Sequence, residues 1–257
     1  MSVHTNIILA APPEHIDAAE ATGLDVARMI YRIGRGYHLY KAHAAKQARG
    51  GLMVIDTHGY SGGGPVSALI GEILFECDKR GYKGIVLDIG KSSVSMLQYL
   101  ASYLASETQR RDMRLFVPES LHTAGENAVV LIPTALSGGT LTGHIGEAVN
   151  KYGVQRIALE IERVRMDFTL PSVNGTGKEL SAYELDALIE QHKTQSFFSK
   201  DLYAFYFNYR EKKGTHFVLY DNGVSIKRKL QAAGNIGVEH AFLFYPHVND
   251  IIDKIIT

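Results

Sequence analysis

The chain has no tryptophan, one cysteine and seven prolines among 257 residues, and its 27 Lys plus Arg cancel its 27 Asp plus Glu. Each shortage excludes something. One cysteine cannot close an internal disulfide, which fits a fold held by packing in a reducing compartment. Cys77 ends the apolar run that begins at Leu69 and reads as a small buried apolar residue. Balanced charge gives no field for nucleic acid or an anionic membrane, partners normally met with concentrated positive charge. No apolar run is long enough to span a bilayer. Met1 to Pro13 has no basic leader, and its apolar run, Ile7 to Ala11, is short, so no signal segment is expected and a cytoplasmic location is. The sequon Asn174-Gly175-Thr176 is accordingly expected to be an ordinary turn.

What is present is an alternation of short apolar runs with helical patterns. The expected strands are Asn6 to Ala10, Met29 to Ile33, Leu52 to Asp56, Gly84 to Ile89, Leu115 to Glu119, Val129 to Pro133, Arg156 to Glu162, Phe205 to Tyr209, His216 to Asp221 and Ala241 to Tyr245. Between them, Leu69, Ile70, Ile73, Leu74 and Cys77 repeat at helical spacing within Val66 to Lys79, and Met96, Leu97, Leu100, Tyr103 and Leu104 do so within Ser92 to Arg110. Further helices are expected at Glu14 to Thr22, Tyr37 to Ala48, Ile145 to Asn150, Ile226 to Ala233 and Val248 to Ile256, and one opens with the capping box Ser181-Ala-Tyr-Glu184 and ends near His192. Strand–helix alternation implies a parallel sheet with crossover helices. The length matches the roughly 250 residues of a (β/α)8 TIM barrel, so one domain is expected over 1–257, with an excursion at about 163–180 and a rim hairpin at about 203–221. There are more strand candidates than barrel places, and Val129 to Ile132 and Phe205 to Tyr209 are the expected surplus.

Several of these strands close on an acid. In such barrels the chemistry lies at the C-terminal strand ends, which would gather Asp56, His58, Asp88, Glu119, Glu160, Glu162, Asp221 and Tyr245. A period of two places Ala158, Glu160 and Glu162 on one face of their strand. A neighbouring acid can lift a carboxyl's pKa into a useful range; the competing reading pairs these acids with Arg163, Arg165 or backbone donors. Asp56-x-His58 has no third ligand at telling spacing, so no metal is expected. Ser61-Gly-Gly-Gly64 precedes a helix as a phosphate cradle would, but it lacks the Lys-[Ser/Thr] of a nucleotide loop and reads as a turn; no cofactor is expected. The aromatics Tyr203, Phe205, Tyr206, Phe207 and Tyr209 suit either a sugar platform or packing.

Gly81-Tyr-Lys-Gly-Ile-Val-Leu-Asp-Ile-Gly90 resembles the fourth strand of the family 18 glycoside hydrolases, the chitinase-like barrels, approximately G-[FY]-D-G-I-D-I-D-W-E. Leu115-Phe-Val-Pro-Glu119 resembles that family's L-x-V-x-V-P-A segment, and Ile157 to Glu162 stands where the family has a strand ending M-x-Y-D. His216-Phe-Val-Leu-Tyr-Asp-Asn-Gly-Val-Ser-Ile-Lys-Arg-Lys-Leu230, then Gly237 and Ala241 to Tyr245, is similar to the closing segment of bacterial chitinase-like proteins, including the spore-cortex type. The order of these pieces covers roughly 50–250.

The resemblance implies a glycan partner containing N-acetylglucosamine, of the peptidoglycan or chitin type. It also implies a mechanism in which an acid protonates the glycosidic oxygen while the substrate's N-acetyl group attacks the anomeric carbon. That acid aligns with Gly90, the two preceding aspartates with Val86 and Lys83, and only the last aspartate is kept, as Asp88. If the chain is catalytic, the acid is expected to be Glu162 or Glu119 with Asp88 as electrostatic partner; Asp56, His58, Glu160, Tyr220, Asp221 and Tyr245 are expected to bind substrate. The alternative is a non-catalytic barrel whose strand-end face binds a protein partner.

Overall fold

The computed structural model describes residues 4–257 except 35, 44–47, 59, 61–65, 89–93, 137–138, 172–174 and 213, and the backbone alone of residues 94 and 96. Eight parallel strands form a closed barrel: β1 (Asn6–Ala11), β2 (Asp25–Ile33), β4 (Leu52–Asp56), β5 (Gly84–Asp88), β6 (Arg114–Pro118), β7 (Ala128–Pro133), β8 (Ile157–Ile161) and β14 (His240–Phe244). Each pairs with the next, β8 pairs with β14, and β1 closes the ring against both β14 and β2. This is a (β/α)8 TIM barrel. Val129 to Ile132, expected as surplus, belongs to the sixth barrel strand. Its run Val129-Val-Leu-Ile is apolar on both faces, as a strand covered inside and outside must be.

Alternation sorts the side chains. Ile8, Ala27, Leu52, Val54, Val86, Phe116, Val129, Ala158 and Phe242 fill the barrel interior, and their strand neighbours Leu9, Val26, Met53, Ile55, Ile85, Leu87, Leu115, Val117, Leu159 and Leu243 join the outer core under the helices. The interior is narrow where Gly84 begins β5: a Cβ there would lie 2.7 Å from the Arg114 carbonyl oxygen and 2.9 Å from Leu52. Outside the strands lie α1 (Ile16–Glu20), α2 (Val66–Arg80), α3 (Val94–Arg110), α4 (Leu141–Tyr152), α6 (Gly223–Ile236), α7 (Tyr245–Val248) and α8 (Ile252–Ile256); a single 3-10 turn at Glu119–Leu121 joins β6 to β7.

Among the described residues of Tyr37 to Ala48, which leave out 44–47, the expected polar helix is not found. Gly36 and Tyr37 both have positive φ, which turns the chain back, and β3 (Leu39–Lys41) pairs antiparallel with β2. Glu72 of α2 accepts from the Leu39 amide at 2.8 Å, so tertiary contacts override the helix-forming composition of the segment.

Between β8 and α6 the chain builds a second sheet from β9 (Arg165–Leu170), β10 (Lys178–Glu179), β11 (Phe197–Ser199), β12 (Ala204–Glu211) and β13 (Gly214–Tyr220), all antiparallel in the order β10-β9-β13-β12-β11. The expected excursion and rim hairpin are parts of this one sheet. Its helix α5 (Ala182–His192) starts at the expected capping box, Ser181 and Glu184 bonding reciprocally. Leu180, Leu185, Phe207, Tyr209, Val218 and Tyr220 form its own small core, and packing is thus the observed role of much of the aromatic set.

Candidate active site at the barrel mouth

The alternation that fills the barrel also decides which residues crown it. Continuing the inner face to the C-terminal strand ends brings Ala10, Met29, Asp56, Asp88, Pro118, Leu131, Glu160 and Phe244 to the mouth. Two adjoining clefts open there. One, about 390 Å³, is lined among others by Asp88, Glu160, Glu162, Arg163, Glu179, Phe244 and His247. The other, about 460 Å³, is lined by Arg32, Tyr40, Lys41, Asp56, His58 and Asp88. They share Met29, Val54 and Asp88, and each has the size of a small-ligand pocket.

Glu160 is the electrostatic centre. Its side chain is exposed to the mouth, and no hydrogen bond or ion pair reaches its carboxyl among the described residues. Its pKa is raised above the ordinary value, first by desolvation and then by the negative charges of Glu162 and Asp88. A carboxyl so placed holds its proton to higher pH than a solvated glutamate, as a general acid requires. Arg163 does not neutralise it. That guanidinium bonds the Asp250 carboxylate at 2.5 Å and the His247 carbonyl at 2.9 Å. Asp88 stands opposite Asp56 in the β4–β5 register. Asp56 accepts from the His58 amide at 2.8 Å and meets His58 Nδ1 at 2.5 Å, so these two hold each other at the edge of the second cleft.

Four expected site residues lie elsewhere. Asp221 is fully buried, accepting from Lys229 Nζ at 2.6 Å, Ser225 Oγ at 2.7 Å and the Val164 amide at 3.1 Å; no ligand reaches it. Tyr220 is buried in the core of the second sheet and donates to Ser196 Oγ at 2.9 Å. Tyr245 opens α7 one residue past β14, so it faces outward into the helical layer against His15; Phe244, on the inner face, takes the mouth position. Glu119 begins the 3-10 turn and is drawn to α4, accepting from Tyr152 at 2.7 Å and Lys151 at 3.2 Å, which hold its carboxyl below the usual range. That suits a permanent anion, not a proton donor. Glu160 was expected from the period of two; Phe244 was missed in favour of Tyr245, although the inner-face alternation from Phe242 points to it. Arg32 and Tyr40, which depend on a hairpin and a bulge, had no sequence signal.

Gly90 and the Ser61–Gly64 loop lie outside the described residues. Among the described residues no group of three His, Cys, Asp or Glu side chains is placed to hold a metal ion, and no helix is long and apolar enough to cross a membrane.

No protein-family model matches the sequence, and no curated protein does. Solved structures do match. The spore cortex-lytic enzyme SleL of Bacillus cereus superposes with a TM-score of 0.69 at 16% identity, over 100% of this chain and 75% of that one. The fold is that of the chitinase-like barrels. A chitinase of Chromobacterium violaceum gives 0.67 at 14% identity over 98% and 96% of the two chains. Human YKL-39, described as a pseudo-chitinase with retained chitooligosaccharide binding properties, gives 0.65 at 11% over 96% of each. At such identities the likeness is one of fold, and the same fold therefore serves a lytic enzyme and a protein described as a pseudo-chitinase.

Proposed function

We propose that the chain acts on glycans containing N-acetylglucosamine at the barrel mouth, with Glu160 as the proton donor. The observation that carries this reading is a carboxyl without a partner among the described residues, its pKa raised by desolvation and by Glu162 and Asp88, at the C-terminal face of a chitinase-like barrel. In the scheme that the family resemblance implies, Glu160 gives its proton to the glycosidic oxygen while the substrate's N-acetyl oxygen attacks the anomeric carbon; the C–O bond to the leaving sugar breaks as the new one forms. Asp88 and Glu162, negative and nearby, favour the positive charge that develops on the sugar. Phe244 at the cleft wall offers an apolar face to a sugar ring.

The resemblance aligns the family's donor with Gly90, which favours a second reading: the same mouth binds the glycan without cleaving it. Incubating the protein with chito-oligosaccharides and muropeptides and assaying new reducing ends separates the two. Turnover by the wild type that falls at least a hundredfold in Glu160→Gln, with binding retained, is the result expected of the donor. Binding without turnover in the wild type selects the second reading, and neither binding nor turnover removes both.

A further inference from the structure

Proton donation from Glu160 leaves one titratable pair at the mouth without a part in the chemistry. Asp56 and His58 line the cleft that adjoins the Glu160 cleft, and Asp88 belongs to both. Asp56 is the last residue of β4, two residues beyond Val54 of the barrel interior. The chain turns there, and the carboxylate accepts from the His58 amide at 2.8 Å and meets His58 Nδ1 at 2.5 Å. Arg32 of β2, in register opposite Asp56, lines the same cleft. A carboxylate on Nδ1 fixes the tautomer of a neutral imidazole: Nδ1 carries the proton and Nε2 is the basic nitrogen. The imidazole is half exposed, so a proton it takes up can pass on to solvent.

The topology sets this dyad against Glu160. In the ring of eight strands, β4 lies four places from β8 in either direction, so the dyad and Glu160 stand on opposite walls of the mouth, with Asp88 of β5 between them. The family resemblance aligns its own donor with Gly90, just beyond β5 and three places round the ring from β8. An acid on β8 approaches the glycosidic oxygen from another side, and the wall it faces is the one that carries the dyad. An acid and a base on opposite walls suit inversion. Inverting pairs stand about 6.5–9.5 Å apart to hold a water between base and sugar, against about 5–5.5 Å in retaining pairs.

We propose that His58, oriented by Asp56, is the general base of an inverting hydrolysis, in which an activated water replaces the substrate's N-acetyl oxygen as the nucleophile. This rests on the reading of Glu160 as donor and changes only the nucleophile. His58 Nε2 takes a proton from the water as the water oxygen bonds to the anomeric carbon. The bond from that carbon to the leaving oxygen breaks, and the leaving oxygen takes the Glu160 proton. One water is consumed and the anomeric configuration inverts; afterwards His58 gives a proton to solvent and Glu160 regains one. Asp56 touches no reacting atom and is a positioning residue.

The test is proton NMR of chito-oligosaccharide cleavage by the full chain, following the anomeric signal of the new reducing end before it mutarotates. The substrate is β-linked, so inversion yields the α-anomer first and retention the β-anomer; the α-anomer is expected. His58→Gln should lower kcat by about a hundredfold or more with KM little changed, and Asp56→Asn, which favours the wrong tautomer, should lower kcat as well; thermal melting confirms that both variants are folded. Azide, a nucleophile that needs no base, should restore cleavage in His58→Gln and give a glycosyl azide, which a merely structural role of His58 would not. The β-anomer first, or wild-type kcat in His58→Gln, overturns the base and leaves the donor reading to stand or fall on Glu160→Gln. Absence of turnover in the wild type overturns base and donor together.

Discussion

The Asp221–Lys229 pair distinguishes a structural joint from a ligand contact, and its replacement has a calculable cost. Both residues are essentially unexposed, at 0% and 1%, and Nζ meets Oδ2 at 2.6 Å. The Asp221 carboxylate also accepts from Ser225 and from the Val164 amide, so it fastens the end of β13 to α6 and to the exit of β8. Lys229→Met keeps an unbranched apolar stem and removes the ammonium, leaving a buried anion with two neutral donors. Breaking a buried pair in this way costs about 3–5 kcal/mol, because the surviving charge is neither hydrated nor neutralised. With a urea slope of about 2–3 kcal/mol per M, the midpoint should fall by roughly 1–2 M. Far-UV circular dichroism is the suitable probe, the chain having no tryptophan. The double variant Asp221→Asn/Lys229→Met removes both charges and should recover most of the loss. A loss below about 1 kcal/mol in the single variant, or a double variant no more stable than the single, would refute the argument that this pair is sealed.

The capping box of α6 supports a second expectation: Asn222 accepts from the amides of Val224 and Ser225, both at 3.0 Å, so Asn222→Ala should cost about 1–2 kcal/mol in the same urea titration. The raised pKa of Glu160 has a definite sign in stability. As pH rises, the unfolded chain ionises this carboxyl first, so its contribution favours folding at low pH and declines from the unfolded pKa up to the folded one. Glu160→Gln should therefore gain stability relative to wild type between pH 4 and pH 7, read as the difference in melting temperature at the two ends. If the protein turns over glycans, its alkaline limb reports loss of the Glu160 proton; Glu162→Gln removes a neighbouring charge, eases that loss and should move the limb to lower pH.

The barrel was legible because burial on both faces leaves a signature of short apolar runs separated by helical spacing, and β4, β5, β6, β7 and β14 fall within a residue or two of where those runs predict them. The site was less legible, and the reason is geometric. A strand end names the level of a residue in the barrel but not its side, and one position decides it: Phe244 faces the mouth and Tyr245 the helices. Glu119 follows a proline into a turn and leaves the strand's alternation altogether. Tyr220 ends, and Asp221 follows, a strand of the second sheet, whose existence needed long-range pairing between β9 and β13 that no local pattern announces. Ala-rich composition concealed β3 and its antiparallel pairing with β2. Asp88 and Glu160, by contrast, follow from alternation alone, Val86 and Ala158 lying two residues earlier in the barrel interior.

The central claim is that Glu160 is a proton-holding acid at a sugar site, and carboxyl-carbon NMR titration of its side chain tests this most directly, without and with saturating N-acetylglucosaminyl-N-acetylmuramic acid. The account predicts a midpoint above that of an ordinary glutamate in the free protein, displaced further upward when the sugar excludes water from the mouth. A midpoint at the ordinary glutamate value that does not move when the disaccharide is added would contradict it.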